Sequence, residues 1–365
     1  MLDRFKVPSE DAIRVPEDSL RRTVTAIFEK MGVTPEDAIE GADVLVTSDL
    51  RGVETHGVSN MLRKYLKEFN NGKLNPKPNW HIVRESPGTA TINADRGLGI
   101  ILGPKAMRIA IDKAKKVGVG IVTMFKAGHS GAVGHHAMVA AHEDMIGMCA
   151  TSAELTMVPT FGAEPIMGTN PIAIAAPTRN ESPILFDAAT TNIASNKIRL
   201  ANRVGATLLP GWIAETDGSP ILEETAARES GQYYHLPVGG TRERGSHKGY
   251  GFGLIVEILT TLLPGVVPAL LTSQDHKGWH RHYFAAYNIE CFTDIDTYKD
   301  NIDRYLRAIR ETSPTTEHDR VLYPGLSEDE IMLDRSSNGI PLHKEVINWF
   351  EYICDELSVP VLKLM

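Results

Sequence analysis

Gly97-Leu98-Gly99-Ile100-Ile101-Leu102-Gly103 is the stretch on which the fold turns. It follows a short alternating segment, Thr89–Asn93. It precedes a helical pattern from about Pro104 to Val117, in which Met107, Ala110, Ile111, Ala114 and Val117 recur on one face. A glycine-rich turn between strand and helix is where a dinucleotide fingerprint would sit. The spacing here is GxGxxxG, one residue too long. The next strand, Val119 to Phe125, ends at Lys126 without the acid that would hold a ribose hydroxyl. The motif reads as a glycine-rich turn into a helix, and a standard Rossmann fold is disfavoured.

Upstream, the chain reads as helical. Leu20, Val24, Ile27, Phe28 and Met31 share a face that ends at Gly32. Thr34-Pro35-Glu36-Asp37 is a second helix start, and Leu62, Tyr65, Leu66 and Phe69 line a third helix. Asn75–Trp80 is a proline-punctuated boundary, and His81–Arg84 with Thr89–Asn93 reads as a hairpin around Pro87-Gly88. Downstream, the pattern predicts a helix over 133–145, strands at 146–151, 172–176 and 184–186, a helix over 248–263 and a strand over 283–289. Helices return at 301–310 and 342–357. The expected class is α/β: a mixed-sheet domain over 79–298, with a helical part built from both chain ends, 1–78 and 299–365.

The 365 residues allow two domains, and 42% hydrophobic with 23% charged residues excludes a disordered chain. A net charge of −8 without a basic stripe makes nucleic acid or an anionic membrane a poor partner. The three cysteines, Cys149, Cys291 and Cys354, are far apart and form no CxxC, so neither a disulfide framework nor a cysteine metal knuckle is expected. The start, MLDRFKVPSEDAIRV, lacks a signal-type apolar region. The most apolar stretch, Gly253 to Leu271, is broken by Glu257, Pro264 and Pro268. A cytoplasmic protein of enzyme size is expected.

Four segments concentrate chemistry. In Asp49–Gly57, two glycines bracket an acid, a hydroxyl and a histidine between helices; a plain helix connector is the bland alternative. In Lys126–Gly134, His129 is the ionisable group inside a small-residue turn that opens a helix, and it can exchange a proton with a substrate oxygen. Asn170 and Asp187 stand in polar loops beside apolar strands, placed either to bond a cofactor's amide or ribose or to cap turns. Gly245–Gly251 sets Lys248 and Gly249 at a helix start, which suits phosphate, although the segment is no P-loop.

Taken together and in this order, RGVETHG, GHSGAVG, GTNPIAIAAP, FDAATT and HKGYG resemble the type-2 malate/L-lactate dehydrogenases. That family also holds ureidoglycolate and sulfolactate dehydrogenases, 2,3-diketogulonate reductase and Δ1-piperideine-2-carboxylate reductase. The resemblance runs from Ser48 to Gly339-Ile340. It implies a homodimeric NAD(P)-dependent oxidoreductase with its own, non-Rossmann cofactor fold. NAD is the first choice of cofactor, NADP the second, and the substrate is a small carboxylate. It assigns proton transfer to His56, His129 or both. It maps cofactor contacts to Asp187, Ala188, Ala189, Lys248, Gly249, Gly278, Trp279, His280 and the Pro324-Gly325 turn. Thr55 keeps the hydroxyl of the family's serine. Asn60 stands where many relatives carry an arginine for the substrate carboxylate. Ala153 and Trp279 also depart from the family pattern.

A lost arginine needs a replacement. Arg63, three residues after Asn60 on one helix, shares its face and is the nearest candidate; a surface arginine is the alternative. The leading function is hydride transfer between NAD(P)H and a small 2-oxo acid. The competing one is a metal-dependent hydrolase or lyase built on His129, His135, His136 and His142 or on His276, His280 and His282. That set lacks HExxH and a carboxylate at clear ligand spacing. A non-catalytic binding protein is the third reading.

Overall fold

The computed structural model describes residues 3–152, 154–272 and 279–365. A short strand, β1 (Ala12–Val15), leads into α1 (Glu17–Lys30), α2 (Pro35–Leu50) and α3 (Val58–Asn70). The expected faces of these helices are buried, and Gly32 ends the α1 turn at φ +86°. Thr34 caps α2, its hydroxyl accepting from the Asp37 N–H at 3.4 Å.

The middle of the chain alternates. In order come β2 (His81–Glu85), β3 (Thr89–Asn93), α4 (Gly99–Val117), β4 (Val119–Ala127) and α5 (Val133–Ala141). Next are β5 (Met145–Ser152), β6 (Ile172–Ala176), β7 (Ile184–Ala188) and α6 (Ser195–Val204). Two small ladders follow, β8 (Thr207–Leu208) with β10 (Thr225–Ala226), and β9 (Ile213–Ala214) with β11 (Tyr234–His235). Then come α7 (Ser246–Glu257), which runs on into a π turn, and β12 (His280–Asn288). The tail holds α8 (Ile295–Arg310), α9 (Leu326–Asn338), β13 (Ile340–His343) and α10 (Lys344–Leu357).

The result is an α/β structure around one seven-stranded mixed sheet of order β2-β3-β4-β12-β5-β6-β7, in which β3–β4 is the parallel pair. Helices α4 and α5 seat on one face, and two glycines make that possible. A Cβ on Gly120 would lie 1.8 Å from the Ala110 carbonyl, and one on Gly147 2.1 Å from that of Ala137. Helix α7 and its π turn cover the other face. The ends of the chain meet, since β1 pairs antiparallel with β13 and α1 packs on α10. A continuous apolar core joins these terminal helices to α4 and the sheet. No helix among the described residues is long and apolar enough to cross a membrane.

Two expected boundaries need correction. Helix α4 starts at Gly99, not near Pro104; the proline sits inside the helix. Helix α5 ends at Ala141 rather than at 145, and β5 takes up the chain at Met145. The glycine stretch that opened the sequence argument also has a structural task. Gly97 O accepts from the Gly128 N–H at 2.8 Å, and the Ile100 N–H donates to His129 O at 3.1 Å. A Cβ on Gly99 would lie 2.6 Å from the Gly128 carbonyl. The glycines thus let the start of α4 clamp the loop that carries His129.

Candidate active site

Two connected hollows hold most of the singled-out residues. A cleft of about 1200 Å³ runs between the start of α5, the end of β7, the α2–α3 loop and the turn before α9. Its walls include Thr55, His56, Gly131–Gly134, Asp187, Ala188, Ala189, Pro324 and Gly325. A side chamber of about 100 Å³ is lined by His56, Lys64, His129, Arg199, His280 and neighbours, and shares His56, Thr169 and Ala194 with the cleft.

The histidines stack. The rings of His56 and His129 lie parallel, 5.7 Å between centroids. His280 meets His129 edge-on at 5.2 Å, and His282 stacks under His280 at 6.2 Å. The last pair follows from strand geometry, because residues two apart on β12 face the same way. Nδ1 of His129 accepts from the Gly131 N–H at 3.0 Å and lies 2.8 Å from the Tyr65 hydroxyl. A backbone N–H can only donate, so the neutral ring carries its proton on Nε2. Burial, reinforced by Lys64 and the neighbouring imidazoles, holds His129 well below the usual histidine pKa. Burial, with Lys64 adding, pushes His56 down to about 4; its Nδ1 pairs with Thr55 Oγ1 at 2.9 Å.

The loop bearing Thr55 and His56 is fastened from behind. Asp49 Oδ2 accepts from the Val58 N–H at 2.7 Å, which satisfies the first turn of α3. Burial raises that carboxyl to about 8. Glu54 pairs with Arg335 of α9 at 2.5 Å, both nearly enclosed, and Arg335 also donates to the Asp49 carbonyl. Removing one member of a buried pair strands the other. Arg335→Met is expected to cost about 3 kcal/mol in urea unfolding, and Glu54→Gln in the same chain to recover part of it. A stability equal to the parent's would show that the pair does not hold the loop.

Asp187 opens onto the cleft and accepts from the Gly134 N–H, in the first turn of α5, at 2.7 Å. The protein crowding its carboxyl raises it to about 6, against the pull of that hydrogen bond and of Arg51.

Other expected residues are not brought to either hollow. Asn170 is buried and donates to Gly253 O and Glu257 Oε1. Lys248, Gly249 and Trp279 are absent from both linings, and Gly278 and Ala153 lie outside the described residues. Asn60 faces α6, accepting from Arg203 at 2.8 Å and donating to Asn196 O at 3.3 Å. Arg63 is engaged elsewhere. It pairs with Glu345 at 2.5 Å and lies over the Trp349 ring at 4.9 Å, because α10 meets that side of α3; it lines neither hollow. Among the described residues no three potential ligands are grouped to hold a metal ion, and His276 lies outside them. His135 instead approaches Asp43, and His136 bonds Ser130 O. Lys64 and Tyr65 were missed as site residues, and Arg199 was considered only for a cofactor 2′-phosphate. The signal for Lys64 was its place in the third helix two turns beyond His56.

A model of the malate/L-lactate dehydrogenase family matches residues 15–351. The chain belongs to this family. It is therefore an oxidoreductase of small hydroxy acids, as the full-length likeness of its relatives also supports. The malate dehydrogenase of Pyrococcus abyssi is 35% identical over 358 residues, which cover 97% of this chain and 98% of that one. The L-sulfolactate dehydrogenase of Methanocaldococcus jannaschii is 36% identical, over 95% and 97%. The solved malate dehydrogenase of Pyrococcus horikoshii OT3 superposes with a TM-score of 0.88 at 34% identity, over 98% and 99%.

Proposed function

We propose that this family member transfers a hydride between NAD(P)H, with NAD preferred, and a small 2-oxo acid of the malate or lactate type. The observation that carries the reading is the meeting of two acid–base histidines in a small chamber at the side of a dinucleotide-sized cleft. The cleft suits the cofactor: small residues at the start of α5 leave room for backbone contact, and the Asp187 carboxylate is open to accept a ribose hydroxyl. Asp187, Ala188, Ala189, Pro324 and Gly325 would hold it on this non-Rossmann sheet. The nicotinamide supplies the hydride when bound.

The chain supplies the rest. His129 is neutral, so its Nε2–H can hydrogen-bond the carbonyl oxygen and pass its proton there as negative charge grows, while the Tyr65 O–H, at Nδ1, gives its own proton to the ring so that no imidazolate is left. Tyr65 and Gly131 fix the ring through Nδ1. His56 and Thr55 form the opposite wall, and burial keeps water from competing. On this reading residues 79–298 serve the cofactor, and the two chain ends complete the substrate side. The three cysteines are unpaired, as in a reducing compartment, which favours the cytoplasm. The test is an ultraviolet screen of NADH and NADPH oxidation against 2-oxo acids and cyclic imines. Turnover of no acid with either cofactor would reject the reading.

Assembly as a dimer is part of the proposal. Phe252, Ile255, Ile258, Leu262 and Leu263, along α7 and its π turn, are exposed and apolar, and Leu270 and Leu271 extend the band. Such a contiguous patch marks an association surface. Light scattering at micromolar concentration is expected to give twice 40.1 kDa, and a single-chain mass would count against it.

A further inference from the structure

Two cations line the chamber beside the histidines. Lys64, half-buried on α3, and Arg199, exposed on α6, both line it, and Glu154, also exposed, is the one carboxylate on its wall among the described residues. Lys64 makes no ion pair and no hydrogen bond to another described residue. Arg199 has a single weak protein contact, Nη1 to Asn196 Oδ1 at 3.2 Å. Their neighbours differ: Arg63 and Arg203 are both tied to Glu345. Ala194, Ser195 and Asn196, the N-cap and first residues of α6, line the same chamber, and no side chain caps that end. Free N–H groups there add to the pull on an anion. Glu68 and Glu154 act on Lys64 through space, without a hydrogen bond, so the two cations of this space of about 100 Å³ remain open to an anionic ligand.

The two cations differ in place. Lys64 depresses the basicity of His56, His129 and His280 alike, so it stands close to where the carbonyl is reduced. Arg199 acts on Lys64 and on Tyr233. We infer that Lys64 and Arg199 form a two-point clamp for a dianionic 2-oxo acid. Lys64 takes the carboxylate beside the reacting carbon, and Arg199 takes a second anionic group, carboxylate or sulfonate, at the far end. The clamp replaces the cation missing at Asn60 and selects acids of the oxaloacetate or sulfopyruvate kind over pyruvate. It rests on the hydride-transfer reading and specifies its substrate.

The test compares the parent with Arg199→Met, Arg199→Lys and Lys64→Met. Steady-state rates are measured on oxaloacetate, 3-sulfopyruvate and pyruvate. Calorimetric titrations of the NADH-loaded protein use hydroxymalonate, a dianion, and oxamate, a monoanion. Arg199→Met is expected to lower kcat/KM on a dianion about 100-fold, as for a lost charge pair, and to leave pyruvate unchanged. Arg199→Lys restores most of the loss, and Lys64→Met lowers all three. The pair of acids tells a carboxylate at the far end from a sulfonate. Hydroxymalonate affinity falls with Arg199→Met while oxamate affinity does not. Equal losses on all acids, or none, would overturn the clamp while leaving hydride transfer in place. Arg199-dependent hydroxymalonate binding by a chain that reduces no acid would keep the clamp and reject hydride transfer.

Discussion

His129→Ala lowers kcat and kcat/KM together by about 10³-fold, within the 10²–10⁴ range of general acid catalysis, and leaves the affinity for NAD(P)H near the parent value. Three observations lead to this. The ring lines the chamber next to the cleft, and its Nδ1 is engaged by Gly131 and Tyr65, so Nε2 is left for the substrate. Burial keeps it neutral, so near pH 7 it works from the imidazole form. The start of α4 clamps its backbone, which fixes the ring's position without a contact to the cofactor cleft. A loss confined to the chemical step is the signature of a group used only in the transition state. Rapid-mixing kinetics and fluorescence titration of NADH separate the two effects. Unchanged turnover would transfer the proton to His56, which stacks 5.7 Å away on the other side of the chamber.

Much of this was legible in the sequence where a residue's meaning is local. The faces of α1 to α3, the hairpin β2–β3 and the strands of the sheet follow from periodicity, and both site histidines stand in glycine-flanked motifs. What could not be read depends on distant partners. The pairing of β1 with β13 joins residues over 320 positions apart through four-residue strands, one containing Pro341, too short for any pattern. Helix α6 is polar along most of its length, so its sequence suggests a surface helix and not a chamber wall. Arg63 and Lys64 show the limit most clearly. Helical spacing favoured Arg63 because it shares a face with Asn60. Glu345 and Trp349, far along the chain, take that arginine, and the lysine beside it is the one that lines the chamber. Spacing gives direction around a helix; it does not say which cation already has a partner.

Mild acid should unfold this protein in a range where ordinary carboxylates still carry charge. Burial lowers the pKa of seven histidines. His56, His235 and His282 are pushed to about 4, His136 to about 3, His129 and His280 well below the usual value, and His135 below it. The unfolded chain, with histidines near 6.5, binds more protons than the folded chain between that pH and the folded values. Stability then rises with pH, is complete above about 6.5, and is lost as pH falls below it. Asp49, raised to about 8, and Asp187, raised to about 6, act in the opposite sense, because the folded state holds their protons longer. The histidines outnumber them. Each fully shifted histidine contributes about 1.4 kcal/mol per pH unit, so the balance between pH 6.5 and 5.5 is a loss of several kcal/mol. Urea unfolding at pH 7.5 and 5.5 measures it. Calorimetry in buffers of different ionisation enthalpy counts the protons taken up on unfolding at pH 5.5, where net uptake of several is expected. His282→Gln, which retains an N–H for the Gly128 carbonyl that His282 now bonds at 3.1 Å, should lower that uptake by about one proton. Equal stability at the two pH values, or net release of protons at the lower one, would mean that the buried histidines are charged in the folded protein, and the neutral His129 on which the proton transfer depends would fall with them.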